Sequence, residues 1–269
     1  MKNHLGLATC FYPDSSVERW KTAVEGGFQD AEIDVKSSLS AEEICKGSQK
    51  IYDDLKAAGL APTSLHLPFN NDWDISSEDG AVREKALAGL YQLLSWCGEH
   101  EIPFAILHPS YEPIADEHRP ARLQHAVESI RLLGEEGKKH GVRIAVEDLP
   151  RTCLGNCADE LLILTDNGKN AGVCFDVNHL LKESHKEFIE KLAPYIITTH
   201  LSDYDRVDER HWFPGDGCID WKEFYSLMQA AGYTGRYLFE LGEKASPSLG
   251  RPFTPKELAE QFKKLVGEE

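Results

Sequence analysis

Residues 143–203 hold three short, largely apolar runs, Arg143 to Val146, Gly172 to Phe175 and Ile196 to Thr199. Each leads directly into acidic or imidazole side chains: Ala145-Val-Glu147-Asp-Leu-Pro150, Cys174-Phe-Asp176-Val-Asn-His179 and Thr198-Thr-His200-Leu-Ser-Asp203. Runs of this length without polar alternation read as strands covered on both faces, the habit of parallel sheets. Between them lie stretches of helical character beginning near Ala158 and Lys186. The repeating unit is therefore a strand followed by a helix.

The alternation continues in both directions. Further strand-length runs stand at Leu5 to Ala8, Ala31 to Val35, Thr63 to Leu67, Phe104 to Leu107 and Tyr237 to Phe239. Helical stretches begin near Ser16, Ala41, Glu78, Arg119, Trp221 and Pro255. Ser40-Ala-Glu-Glu43 and Thr254-Pro-Lys-Glu257 each set a hydroxyl three residues ahead of a glutamate, which satisfies free N–H groups at a helix start, and Pro255 suits the first helical position. Gly59, Gly141, Gly172 and Gly232 fall between a helix and the next strand, where a left-handed terminating residue is expected. Eight such units in 269 residues, with no Gly-, Pro- or Ser-rich linker, predict one (β/α)8 TIM barrel domain spanning 1–269. An open doubly wound sheet is disfavoured, because no GxGxxG follows the first strand and no Walker-type phosphate loop is present.

Lys and Arg number 29 against 45 Asp and Glu, and the formal charge of -16 opposes unaided attraction to nucleic-acid backbones or anionic lipid. No apolar stretch approaches the ~20 residues of a membrane helix, and the first residues carry no cleavage signal, so a cytoplasmic protein without a membrane partner is expected. The seven cysteines are odd in number and scattered, as reduced thiols are. Cys153 and Cys157 form a CxxxC pair, but spacing alone does not make it a metal or redox site.

In a barrel of this kind chemistry sits where strands end. Six consecutive strands each deliver His, Asp or Glu there: His66, His108, Glu147, Asp176 with His179, His200, and Glu240. One histidine after a strand is commonly a structural residue, and one buried carboxylate commonly pairs with a neighbour; six coincidences are harder to explain so. Several carboxylates brought together resist ionisation unless a cation neutralises them. Glu147, Asp176, His200 and Glu240 offer three oxygens and an imidazole, a set suited to one divalent metal ion, Mn, Mg, Co or Zn. Removing a proton beside a carbonyl builds charge on its oxygen, which such a cation stabilises. Glu147 and Glu240, entering from different strands, can then act as catalytic base and acid. Trp73 and Trp212 are candidates to stack on a substrate.

These residues resemble the xylose isomerase-like barrels, which include sugar phosphate isomerases and epimerases, ketose 3-epimerases and the endonuclease IV group. The resemblance rests on Val146-Glu147-Asp-Leu, Phe175-Asp176-Val-Asn-His179, His200-Leu-Ser-Asp203 and the loop His211-Trp-Phe-Pro-Gly215-Asp-Gly217-Cys-Ile-Asp220, similar to the family's HxxPGxG segment. Resemblance to the ketose 3-epimerases implies that Glu147, Asp176, His200 and Glu240 bind one metal while the two glutamates exchange protons with substrate. It places His179 and Arg206 against substrate oxygens, with His66, His108 and His211 as further contacts. The implied partner is a small-molecule sugar or sugar phosphate, and a homodimer is the usual assembly.

The chain also resembles endonuclease IV, whose ligand motifs His66, His108, Glu147, Asp176, His179, His200, His211 and Glu240 match in order; that likeness implies up to three Zn ions. It departs at Glu209-Arg210-His211, where that group has Asp-Arg-His. Gripping an abasic duplex calls for Arg, Lys and wedge residues on rim loops, yet Lys36-Ser-Ser-Leu-Ser-Ala-Glu-Glu43 contains no arginine. The reading therefore favours a sugar isomerase or epimerase over an abasic-site endonuclease. A barrel that only binds a sugar or polyol is a third reading, and the four intact ligand positions argue against it.

Overall fold

The computed structural model of the chain describes residues 4–12 and 14–268. Eight strands, β1 (Leu5–Ala8), β2 (Asp30–Ile33), β3 (Ala61–His66), β4 (Phe104–Leu107), β5 (Arg143–Glu147), β6 (Gly172–Asp176), β7 (Ile196–Leu201) and β8 (Tyr237–Phe239), alternate with helices. The helices are α1 (Val17–Glu25), α2 (Ala41–Ala58), α3 (Gly80–Glu99), α4 (Arg119–His140), α5 (Ala158–Thr165), α6 (His185–Leu192), α7 (Trp221–Ala230) and α8 (Pro255–Val266). All strand pairings are parallel and follow chain order, and β8 returns to β1 to close the barrel. The expected (β/α)8 barrel is what the chain forms.

Closure removes every sheet edge and divides the apolar residues into two sets. Between strands and helices lies the large core, including Trp20, Phe28, Phe175, Phe188, Phe224, Phe239 and Phe262. Phe175 of β6 stacks on Phe188 of α6 at 4.4 Å. Burying each such ring contributes roughly 1.5–3 kcal/mol, so this layer supplies most of the adhesion of helix to sheet. Inside the barrel the apolar set is small: Ile106, Ala145 and Cys174, with Ile197 against them. Apart from Leu238, the interior positions beside and above this set are largely polar, among them Ser64, Thr198, Glu32 and Glu147.

Both expected capping boxes are present, and Ser184-His-Lys-Glu187 adds a third at the start of α6. Gly59, Gly141 and Gly232 take left-handed conformations as expected. Gly172 does not. It opens β6, and α5 instead ends on Asp166 at φ 51°. No helix among the described residues is long and apolar enough to cross a membrane.

Candidate metal and substrate site

Successive strand residues face opposite sides, so a side chain two places beyond an interior residue also points into the barrel. Ile106, Ala145 and Cys174 form the inner apolar layer, and two places on stand His108, Glu147 and Asp176. Ser64, Thr198 and Leu238, all buried, precede His66, His200 and Glu240 in the same way. Period-two alternation thus stacks one polar layer above one largely apolar layer at the C-terminal mouth.

Three imidazoles are fixed through one ring nitrogen and turn the other toward carboxylates. His66 Nδ1 lies 3.1 Å from the Leu67 carbonyl, leaving Nε2 3.3 Å from Glu147 Oε2. His179 Nδ1 lies 2.8 Å from the Asp148 carbonyl, leaving Nε2 3.1 Å from Glu209 Oε2 and 3.5 Å from Asp176 Oδ2. His200 Nε2 lies 2.9 Å from Glu32 Oε1, and its Nδ1 lies 3.0 Å from Glu147 Oε1 and 3.1 Å from Glu240 Oε2. His211 Nδ1 sits 3.1 Å from the Glu240 carbonyl. His108 Nε2 reaches Glu147 Oε2 at 3.1 Å while its ring stacks on Phe69 at 4.0 Å. Holding one nitrogen determines which lone pair is free, the arrangement used by metal-ligating imidazoles.

Burial drives the charges in this cluster, and the partners decide the outcome. Burial works to raise Glu147, but His200 and His108 outweigh it and hold the carboxyl well below its usual range. Glu240 is likewise lowered, by His200 against burial. Asp176 goes the other way: burial, with Glu240 and Glu147 adding to it, pushes it up to about 6 despite His179. Glu209 is drawn down to about 2, chiefly by His179 and then by Arg151.

Glu147, Asp176, His200 and Glu240 present ligand atoms all within 4.8 Å of one another, as do His66, His108 and Glu147, and His179, Glu209 and His211. Glu147 Oε2 and Asp176 Oδ2 are buried without a hydrogen-bond partner. Unpartnered carboxylate oxygens are costly in the interior. Two of them, Glu147 Oε2 beside His66 and His108 and Asp176 Oδ2 beside His179, fit a divalent cation held by the first of these groups.

Above the cluster opens a cleft of about 320 Å³ whose walls include Phe69, Ser110, Tyr111, Glu112 and Arg151. Among the described residues Arg151 is the sole Lys or Arg in its lining, and it is paired with Glu112, Asp208 and Glu209. The loop carrying His211 is anchored by buried Asp203, which accepts from the backbone N–H groups of Tyr204, Gly215 and Ile219 and from the Trp221 indole. Gly217 passes so close that a Cβ there would lie 2.2 Å from the Tyr204 carbonyl oxygen.

Residues 20–265 match the family described as Xylose isomerase-like TIM barrel. The chain belongs to that family. Among its relatives, a ketose 3-epimerase of Arthrobacter globiformis is 23% identical over 224 residues, covering 80% of this chain and 74% of its own. A probable endonuclease 4 of Persephonella marina is 22% identical over 190 residues, covering 63% and 65%. A crystal structure of a D-tagatose 3-epimerase-like protein superposes with a TM-score of 0.78 at 22% identity over 98% of both chains, which is a likeness of fold.

Within this xylose isomerase-like barrel, Glu147, Asp176, His200 and Glu240 converge as expected, ringed by His66, His108, His179 and His211. Three of the expected substrate contacts are not in the cleft lining. Arg206, at φ 60° in the loop after β7, lines a separate cavity with Ser184, Lys186 and Asp220. Trp73 packs over Gly89 of α3, where a Cβ would lie 2.6 Å from the ring, and its indole donates to the Ser37 carbonyl at 3.0 Å. Trp212 is tied to Asp203 by an isolated antiparallel bridge. Loop side chains lack the strand alternation that sets direction, so spacing could not place them. Conversely, Glu32, Asp148, Glu209 and Arg151 were not among the expected site residues. Glu32 left a readable trace: with Asp34 it is one of two acidic residues alternating with apolar ones in the strand-length stretch Ala31 to Val35.

Proposed function

We propose that the chain is a divalent-metal-dependent sugar isomerase or epimerase that moves a proton on carbon beside a carbonyl. The observation that carries this is the placement of Glu147 and Glu240, both held ionised, on the same His200 nitrogen at the floor of a small cleft. Glu147, Asp176, His200 and Glu240 would hold the cation, which supplies an electrophile for the substrate carbonyl. Glu147 and Glu240 would carry the proton transfer: one, ionised, accepts the proton from carbon and later releases it to solvent, while the other returns a proton after taking one up from solvent. His66, His108, His179 and His211 ring the substrate space and offer hydrogen bonds to its hydroxyls. Phe69, stacked on His108, keeps water from that wall. The ketose 3-epimerase among the relatives supports the same class of reaction.

A second reading, metal-dependent phosphodiester hydrolysis, is favoured by one observation: His66, His108 and Glu147, and His179, Glu209 and His211, are among the further ligand groups beside the first, as are Glu32, His66 and His200. Glu209 spans the longer reach to His179 that its extra methylene allows. Against it stands the cleft lining, where among the described residues the one guanidinium is already occupied by three carboxylates, leaving no free Lys or Arg there for a phosphate backbone.

The deciding experiment measures metal content of protein purified without chelator, together with solvent-hydrogen exchange into a panel of ketoses and ketose phosphates and cleavage of an abasic-site duplex. One ion per chain with exchange is expected, abolished by chelation and by Glu240→Gln while the fold persists. Three zinc ions with strand cleavage would replace this reading by the second.

A further inference from the structure

Glu32 is completely buried in the barrel interior, in register with Ser64 where the β2–β3 pairing shifts between Ala31 and Glu32. Its Oε2 accepts from the Ser64 hydroxyl at 2.5 Å. Its Oε1 lies 2.9 Å from His200 Nε2, a close charge contact, and neither of these two buried atoms has a hydrogen bond of full geometry to any group. A carboxylate in a barrel interior is expensive, and an apolar residue of similar size would fill the space at lower cost. What Glu32 provides that an apolar residue cannot is an acceptor for the Nε2 proton of His200.

We propose that Glu32, held by Ser64, is a positioning residue that fixes the His200 tautomer, so that the Nδ1 lone pair faces Glu147, Asp176 and Glu240. His200 is fully buried and meets Glu147 Oε1 and Glu240 Oε2 through Nδ1, so a proton on Nδ1 would close that nitrogen to a cation. An acceptor at Nε2 keeps the proton on the far side of the ring and increases the basicity of the near side. Ser64 matters because it ties down the second oxygen and stops the carboxylate from turning away. The inference rests on the metal reading above, and it assigns to Glu32 an effect on cation affinity without contact with substrate.

The test is titration of metal-stripped protein with Mn²⁺ by calorimetry and with Co²⁺ by visible absorption, needing no sugar. Glu32→Gln keeps the volume but offers an amide in place of the anion. It is expected to weaken both ions about 10- to 100-fold, with the saturated Co²⁺ spectrum matching that of the unaltered protein. Ser64→Ala, which leaves the carboxylate in place, is expected to weaken binding in the same direction by a smaller factor, and it answers the question if Glu32→Gln fails to fold. Unchanged affinity in folded variants overturns the proposal. An altered spectrum at saturation also overturns it, because Glu32 would then be a direct ligand. No binding by the unaltered protein would sink both this proposal and the metal-dependent function, whereas unchanged variants sink this one alone.

Discussion

Arg151 reaches Glu209 at 2.9 Å across the barrel mouth, and Glu209 in turn reaches His179 at 3.1 Å. Through Glu112 and Asp208 the same guanidinium joins the loops that follow β4, β5 and β7. Three carboxylates around one planar fork form a network, which resists screening better than an isolated surface pair. Its position over the cleft assigns it the shape of the opening.

Removing Arg151 leaves Glu112, Asp208 and Glu209 repelling one another and frees Glu209 from its hold beside His179. Arg151→Ala is therefore expected to raise KM about tenfold with kcat changed far less, the pattern of lost ground-state binding. Arg151→Lys should recover little, since a point charge cannot engage three carboxylates at once. Steady-state kinetics on the sugar that is turned over checks this. An equal fall in kcat and kcat/KM would instead place Arg151 in the proton-transfer step.

Asp203 carries a different load. It receives three backbone N–H groups of the loop that delivers His211 and the indole N–H of Trp221, which opens α7. Asp203→Ala leaves those donors without an acceptor and is expected to cost about 3 kcal/mol. In a chain of this size that lowers Tm by roughly 6–12 °C. Thermal denaturation followed by circular dichroism reads the change, and a shift below ~2 °C would show the loop to be held by its other contacts.

What could be read in advance and what could not divides along one physical line. The strand ends were legible because burial on both faces makes each strand an apolar run, and alternation fixes which residue beyond it turns inward. Glu147, Asp176, His200 and Glu240 follow from that rule without coordinates. Trp73, Arg206 and Trp212 sit in loops, whose direction depends on contacts distant in sequence, such as Trp73 on Gly89 and Trp212 on Asp203. Glu32 obeys the strand rule, but it lies inside its strand among apolar neighbours, where a search confined to strand ends does not look. Gly172 shows the limit of glycine as a helix terminator: β6 begins there with the Ile197 side chain against its bare Cα, where a Cβ would be 2.6 Å away.

His185 links the fold to pH. It opens α6, and its Nε2 donates to the Val177 carbonyl at 2.8 Å while its ring lies beside Phe175 and Tyr204. Burial lowers it to about 4, the Val177 carbonyl resisting and Arg206 adding a further downward push. In the unfolded chain a histidine titrates near ~6.5, so between about pH 6.5 and 4 the unfolded state takes up a proton that the folded state refuses. Folding stability is thus unaffected by this group above that window and falls as pH drops through it, by about 2 kcal/mol at pH 5. His185→Gln retains a donor for Val177 without the titration. Urea denaturation at pH 7.5 and pH 5 should show the unaltered protein losing about 2 kcal/mol more than the variant on acidification. Equal losses in the two proteins would mean that His185 takes up its proton in the folded state, against the burial seen around its ring.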